Sequence, residues 1–250
     1  MIRSFYATGD SFVFGQELET ARLGIVDTAE TLFEFNDYKR HNCYTGIIAD
    51  RLQVSDYTNS ACPGGSNERA YRVLITDISN KLKIYKPEEI FVNISLTHES
   101  RREFCMDDQG GYYIHLASWE PPRFPQMHNH ELWQVITKYF NYDYGNFTFG
   151  MMVLLGMQNF LKVNRIPYII TSSMGNFYET EAQKKFIPPA LLDQIYSKRY
   201  YTDPSFAQFS KQNNCEIGPG LHPLEEGHKM WADHLFSYIE NNNLFDNGDL

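Results

Sequence analysis

Four short stretches of this chain carry residue types that can act together on a carbonyl group. They are Gly9-Asp10-Ser11, Gly64-Gly65-Ser66-Asn67, Ser95-Leu96-Thr97-His98 and Gly220-Leu221-His222-Pro223. A serine hydroxyl is a weak nucleophile until a base takes its proton. Histidine is the side chain suited to that task near neutral pH. A carbonyl under attack becomes an oxyanion, which the backbone N–H groups of glycine-lined loops can hold. Acyl transfer needs such a set, provided that the fold gathers it. Each residue also has an ordinary role open to it. Ser11 suits a turn or an N-cap, Asp10 an acceptor for loop N–H groups, and Asn67 a helix start. His98 suits a solvated loop, and His222 the capping of the last helix.

The elements that would position these residues read as alternating strands and helices. Residues 2–6 are apolar and β-branched enough for a short buried strand, which Gly9 then turns sharply. Strands are also expected at 54–59, 89–96 and 166–171. Helices are expected at 42–52, from Ser66 or Asn67 to 82, at 130–142, 146–163, 204–211 and 224–241, and within 184–200 after Pro188-Pro189. The last helix presents Met230, Trp231, Leu235, Phe236 and Ile239 as one apolar stripe. Alternation of this kind implies an α/β fold with a mostly parallel sheet covered on both faces. Ligands of such sheets bind outside the carboxyl ends of the strands, where the first three loops would lie. Residues 1–250 read as a single domain. Residues 101–127, acidic, then aromatic, then proline-rich, read as an inserted loop or lid.

Composition narrows the function classes. The 250 residues carry a net charge of −9, which argues against a dedicated nucleic-acid binder. Cys43, Cys62, Cys105 and Cys215 are scattered without a Cys-x-x-Cys, so zinc-ribbon and thioredoxin-type sites are not expected. They read as reduced thiols. The N-terminus has no apolar segment of signal-peptide type, and the longest apolar run, around 149–157, is too short to span a bilayer. A cytoplasmic protein without a membrane partner is therefore expected. His115, His128 and His130 lack further ligands at suitable spacing, and no metal is expected. Arg101, Arg102 and Glu103 suit either an anionic substrate or a salt-bridge cluster. Tyr112, Tyr113 and Trp119 suit the roof of a pocket, the stacking of a sugar, or core packing.

Taken in order, these motifs resemble the SGNH (GDSL) hydrolases. Gly9-Asp10-Ser11-Phe12-Val13-Phe14-Gly15 is similar to the first block of that family, Asn59-Ser60-Ala61-Cys62-Pro63-Gly64 to the second, and His222-Pro223 with Glu226-Gly227-His228 to the last. The resemblance implies a three-layer α/β/α sandwich with a flavodoxin-like sheet. It also implies an esterase, lipase, thioesterase or carbohydrate deacetylase that uses neither metal nor other cofactor on a small-molecule or carbohydrate ester. Ser11 would be the nucleophile and His222 the base. The N–H groups of Ser11 and Gly64, or Gly65 one place along, would form the oxyanion hole with Thr97. Asp10, Asn67 and His98 would border the substrate, and His228 would be a second-layer helix residue.

Two departures stand out. Thr97 occupies the third-block position where the family usually has an Asn donor, although Leu96-Thr97 followed by Arg101-Arg102-Glu103 resembles a divergent subset. The aspartate that usually precedes the histidine by three residues is replaced by Pro219. Three readings of that loss are open: a loop carbonyl serves His222, Glu216 or Asp203 folds in, or the chain is a degenerate SGNH-fold binding protein.

Overall fold

The computed structural model describes residues 1–24, 33–106, 113–117, 128–175, 181–201, 203–248 and 250. Its strands are β1 (Ser4–Thr8), β2 (Asp56–Asn59), β3 (Ile90–Leu96), β4 (Arg101–Cys105), β5 (Tyr113–Ala117) and β6 (Tyr168–Ser172). Four of them form one sheet in the order β2-β1-β3-β6, and every pairing in it is parallel. The helices are α1 (Ser11–Phe14), α2 (Leu18–Leu23), α3 (Asp37–Asn42), α4 (Tyr44–Leu52), α5 (Asn67–Lys81), α6 (His128–Tyr139), α7 (Asp143–Val163), α8 (Glu181–Lys184), α9 (Pro189–Leu192), α10 (Phe206–Gln212) and α11 (Glu225–Asn241).

Strand periodicity divides the core in two, because successive side chains point to opposite faces of a sheet. Phe5, Ala7, Phe91 and Ile169 face one way and pack with Ile48 of α4, Phe206 of α10, and Trp231 and Leu235 of α11. Tyr6, Val92, Ile94, Tyr168 and Ile170 face the other way and pack with Leu74 and Ile78 of α5 and Met151 and Leu154 of α7. The result is an α/β/α sandwich. The carboxyl ends of β1 and β3 lie side by side, since Thr8 pairs with Ile94. That pairing sets Gly9-Asp10-Ser11 beside the turn that begins at Thr97.

Several boundaries differ from the sequence reading. The second strand begins at Asp56 and not at Val54. Gln53 ends α4 in the left-handed region (φ 52°), and the Val54 N–H still bonds back to Ala49, so the chain is extended only after the N–H groups of Ser55 and Asp56 meet the Arg3 carbonyl. The segment expected as an irregular lid contains an antiparallel ribbon, β4 with β5. The Trp133 indole of α6 braces it by donating to the Ala117 carbonyl at 3.1 Å. The rest of that segment, with Tyr112 and Trp119, lies outside the described residues. The helix expected within 184–200 shrinks to the single turn α9 and a 3-10 turn at Ser197–Arg199. Among the described residues, no helix is long and apolar enough to cross a membrane.

Trp231 is fully buried and stacks on Phe206 with ring centroids 5.3 Å apart. Trp231→Ala empties the centre of one core and should cost about 3–5 kcal/mol of stability, read as a lower urea midpoint.

Candidate active site

Ser11 owes its place to the turn before it. Gly9 has a φ of 155°, and a Cβ there would fall 2.6 Å from Val13 Cγ2 and 2.7 Å from the Ser95 carbonyl oxygen. Only glycine lets the backbone leave β1 this close to β3. Asp10 then caps α1. Its Oδ1 accepts from the Phe12 N–H at 3.1 Å and from the Ser173 hydroxyl at 2.8 Å, and its Oδ2 accepts from Arg101 Nη1 at 3.3 Å. Asp10 is fully buried, so its carboxylate braces the turn from inside. Ser11 is the first residue of α1, where the backbone N–H has no acceptor within the helix.

His222 reaches Ser11 from the far end of the chain. Its Nε2 lies 2.8 Å from Ser11 Oγ. A small hairpin presents it: Gly218 N–H donates to the His222 carbonyl at 2.8 Å, and Ile217 bridges to Pro223. The Phe12 ring packs against the imidazole at a centroid distance of 5.1 Å.

The partner of the other ring nitrogen is Glu17, a residue that the sequence reading did not consider. Glu17 Oε2 lies 2.8 Å from His222 Nδ1 and also accepts from the His222 backbone N–H at 3.3 Å, while Oε1 accepts from the Gly220 N–H at 2.7 Å. An ionised carboxylate only accepts, so Nδ1 carries the ring proton and Nε2 is left to accept from the Ser11 hydroxyl. Burial pushes the Glu17 carboxyl up. The hydrogen bonds from the His222 ring and the Gly220 N–H, with the charge of His222, outweigh that effect and hold it below the usual carboxylate range.

Neither a loop carbonyl nor Glu216 nor Asp203 therefore stands at His222 Nδ1. Glu216 borders a separate cavity of about 790 Å³ with Arg22, His41 and Lys229. The signal for Glu17 was faint. Gly15 and Glu17 both adopt left-handed backbone (φ 75° and 69°), which swings the Glu17 side chain across to the hairpin. Gly218 and Gly220 leave it room, for a Cβ on either would come within 2.9 Å of Glu17 Oε2. A glycine pair flanking Pro219 is the only trace of this in the amino-acid order.

The second loop is tied to the first by main-chain bonds. Ser60 N–H donates to the Ala7 carbonyl at 2.8 Å, and Cys62 N–H to the Gly9 carbonyl at 3.1 Å. Gly65 N–H is spent on the Cys62 carbonyl at 2.9 Å, whereas Gly64 N–H meets no backbone acceptor among the described residues. Of the two registers expected for an oxyanion donor, Gly64 has the available group. Asn67 is buried, and both ends of its amide hold Thr97: Nδ2 donates to the Thr97 carbonyl at 3.1 Å, and Oδ1 accepts from the Thr97 N–H at 2.9 Å.

His98 Nδ1 accepts from the Ser100 N–H at 3.2 Å. Burial, then the Arg101 charge, pushes its pKa down to about 4, so the ring is neutral near pH 7. His228 is fully buried and accepts from the first N–H of α4, that of Tyr44, at 3.1 Å. Burial, then the charge of His222, pushes its pKa down to about 3. His130 lies 3.1 Å from Gln134, and the side chains of His115 and His128 lie outside the described residues. Among the described residues, no cluster of His, Cys, Asp or Glu is suited to a metal ion.

A carboxyl whose pKa falls on folding adds stability above its unfolded pKa of about 4.3. That stability is lost as pH falls through the depressed folded value. Wild type should therefore be more stable than Glu17→Gln at pH 7, and the gap should close as pH falls below about 4, as measured by urea unfolding at each pH. Gly220→Ala should displace the same carboxylate and lower the activity proposed below in the same direction as Glu17→Gln.

Comparison with solved structures places this architecture. A psychrotrophic esterase, EstA from a Pseudoalteromonas species, matches with a TM-score of 0.50 at 10% identity, over 96% of this chain and 97% of that one. A carbohydrate esterase, described as having an active site with divergent catalytic and non-catalytic binding functions, matches with a TM-score of 0.53 at 16% identity, over 97% of this chain and 66% of that one. At these identities the likeness is one of fold, and the fold is that of the SGNH hydrolases. Comparison with curated protein sequences finds no match. Residues 23–249 match the model of a family described as "Family of unknown function (DUF6071)", and the chain, a sandwich of SGNH type with Ser11, His222 and Glu17 in contact at its sheet edge, belongs to that family.

Proposed function

We propose that this chain is a serine hydrolase that cleaves a carboxylic ester through an acyl-enzyme. The observation that carries the proposal is the unbroken relay from Ser11 Oγ to His222 Nε2 and from His222 Nδ1 to Glu17 Oε2, each contact at 2.8 Å. A binding protein that had lost the chemistry would have no need to hold both ring nitrogens in line.

In the proposed reaction Ser11 Oγ forms a bond to the ester carbonyl carbon, its proton passes to His222 Nε2, and the carbonyl π electrons move to oxygen. Glu17 keeps the ring in the right tautomer and stabilises the imidazolium; it does not itself take the proton. The N–H groups of Ser11 and Gly64 and the Thr97 hydroxyl hold the oxyanion. When the carbonyl re-forms, the bond to the alcohol oxygen breaks and that oxygen takes the proton from Nε2. Water then attacks the acyl-enzyme, giving its proton to Nε2. The bond to Oγ breaks, Ser11 regains its proton, and the carboxylic acid leaves. The orienting acid is worth up to ~10,000-fold in a triad of this kind.

The substrate class we propose is a small-molecule or carbohydrate ester, in keeping with the esterase and carbohydrate esterase that share the fold. A chromogenic panel of acyl chain lengths and acetylated sugars would select among such esters. The wild-type chain should hydrolyse p-nitrophenyl acetate and react with a fluorophosphonate probe, and Ser11→Ala should do neither. Glu17→Gln should keep the probe's target but lower kcat by ~1,000- to 10,000-fold. Equal turnover by Ser11→Ala would overturn the assignment.

A further inference from the structure

Thr97 stands where a longer amide donor is expected, and a hydroxyl has a weakness there. It can rotate, and it can accept as readily as it donates. A free threonine hydroxyl would therefore spend part of its time with its proton turned away from an oxyanion. The surroundings of Thr97 narrow that freedom. Arg101 Nη1 donates to Thr97 Oγ1 at 2.8 Å, and the same nitrogen lies 3.3 Å from Asp10 Oδ2. Guanidinium never accepts a hydrogen bond. With one lone pair of its oxygen engaged by Arg101, the hydroxyl proton is turned away from the guanidinium and toward one of the two directions that remain. Thr97 donates to no acceptor among the described residues.

The fold holds each member of this group from a separate direction. Thr97 is 4% exposed, and its backbone is fixed at both N–H and C=O by Asn67 at the start of α5. Asp10 is held by the Phe12 N–H and the Ser173 hydroxyl, and Ser11 follows it directly. Arg101 begins β4. Two residues on, and on the same face of that strand, Glu103 takes a two-pronged bond from Arg72 of α5, at 2.9 and 2.7 Å. Arg102, on the opposite face, is occupied by Glu68 and Asn146. The ribbon is thus anchored so that Arg101 is delivered to the Ser11 edge of the sheet.

We infer that Arg101 is a positioning residue for the oxyanion hole: through Thr97 Oγ1 it aims and polarises the Thr97 hydroxyl, making threonine serve in place of the missing amide donor. Arg101 does not touch the reacting atoms. It acts by fixing the direction of one proton and by drawing electron density from the oxygen that carries it, which strengthens the bond as charge develops. Asp10, tied to the guanidinium, keeps it from swinging toward the substrate. The inference rests on the serine-hydrolase reading above and deepens it.

The test uses the full chain and four single variants, Thr97→Val, Thr97→Ser, Arg101→Met and Arg101→Lys, with the double variant Thr97→Val/Arg101→Met. Thr97→Val should lower kcat on p-nitrophenyl acetate by ~100- to 1,000-fold with little change in KM, as expected for a lost oxyanion donor. Thr97→Ser, which keeps the hydroxyl, should stay within about tenfold of wild type. Arg101→Met should fall toward the Thr97→Val level, and Arg101→Lys, which keeps one donor, should recover part of the loss. The double variant should be no slower than Thr97→Val alone, because both changes remove the same bond.

Multiplying losses in the double variant would show that Arg101 acts on its own account and would overturn the inference. Full activity of Thr97→Val would overturn it too. If Arg101→Met fails to fold, the Thr97 pair and Arg101→Lys still decide. A wild-type chain that neither hydrolyses the ester nor takes the fluorophosphonate label would overturn the hydrolase reading itself. A labelled, active wild type with an indifferent Thr97 overturns only the role given to Arg101.

Discussion

Glu17 and His222 are 205 residues apart in sequence, yet one carboxylate closes both the imidazole and the backbone that carries it. Its two oxygens take the ring N–H, the His222 main-chain N–H and the Gly220 N–H. The last two bonds shape the hairpin, and the first aims the ring. Without the carboxylate, the N–H of the buried His222 would lose its acceptor, a loss that costs about 1–3 kcal/mol. The position of the imidazole and the fold of the loop that holds it therefore rise or fall together.

Such an arrangement divides the relay differently from one in which acid and base share a loop. Here Ser11 and Glu17 come from a single short segment, α1 and the turn after it. Their spacing is set locally, by a one-turn helix and two left-handed residues. Only His222 has to be brought in from elsewhere. The price is backbone strain, since a non-glycine residue in the left-handed region costs roughly 1–2 kcal/mol. Glu17 is such a residue, and its three hydrogen bonds offset the strain. Glycine at that position would relieve the backbone but would remove the carboxylate that the hairpin is built around.

The fold was legible because its signals are periodic. The buried runs of β1, β3 and β6 and the apolar stripe of α11 each follow one face of one element, and the parallel sandwich follows from their alternation. Ser11 and His222 were legible as candidates from their neighbours. Glu17 was not, because nothing periodic marks a residue whose role comes from a turn. Its side chain is placed by φ values near 70° and by the absence of Cβ atoms at Gly218 and Gly220, features of backbone and space more than of residue type. The ribbon β4–β5 was not legible for a related reason: Arg101, Arg102 and Glu103 suit an anionic substrate or a salt-bridge cluster, and the fold pairs each charge, but charge alone carries no strand periodicity.

The charges around Ser11 also have a direction. The Glu17 carboxylate lies on the far side of His222 from Ser11, and the Arg101 guanidinium lies behind Thr97. In the proposed attack, positive charge grows on the imidazole and negative charge on the substrate oxygen. A fixed anion beside the first and a fixed cation behind the second favour both changes at once, and because each is already held by hydrogen bonds, neither has to move when the charges appear. The Asp10–Arg101 pair sets the limit on this effect. It screens part of the cation's field but keeps the guanidinium at a constant place, and a constant field acts on the transition state more effectively than a stronger one that must first reorient.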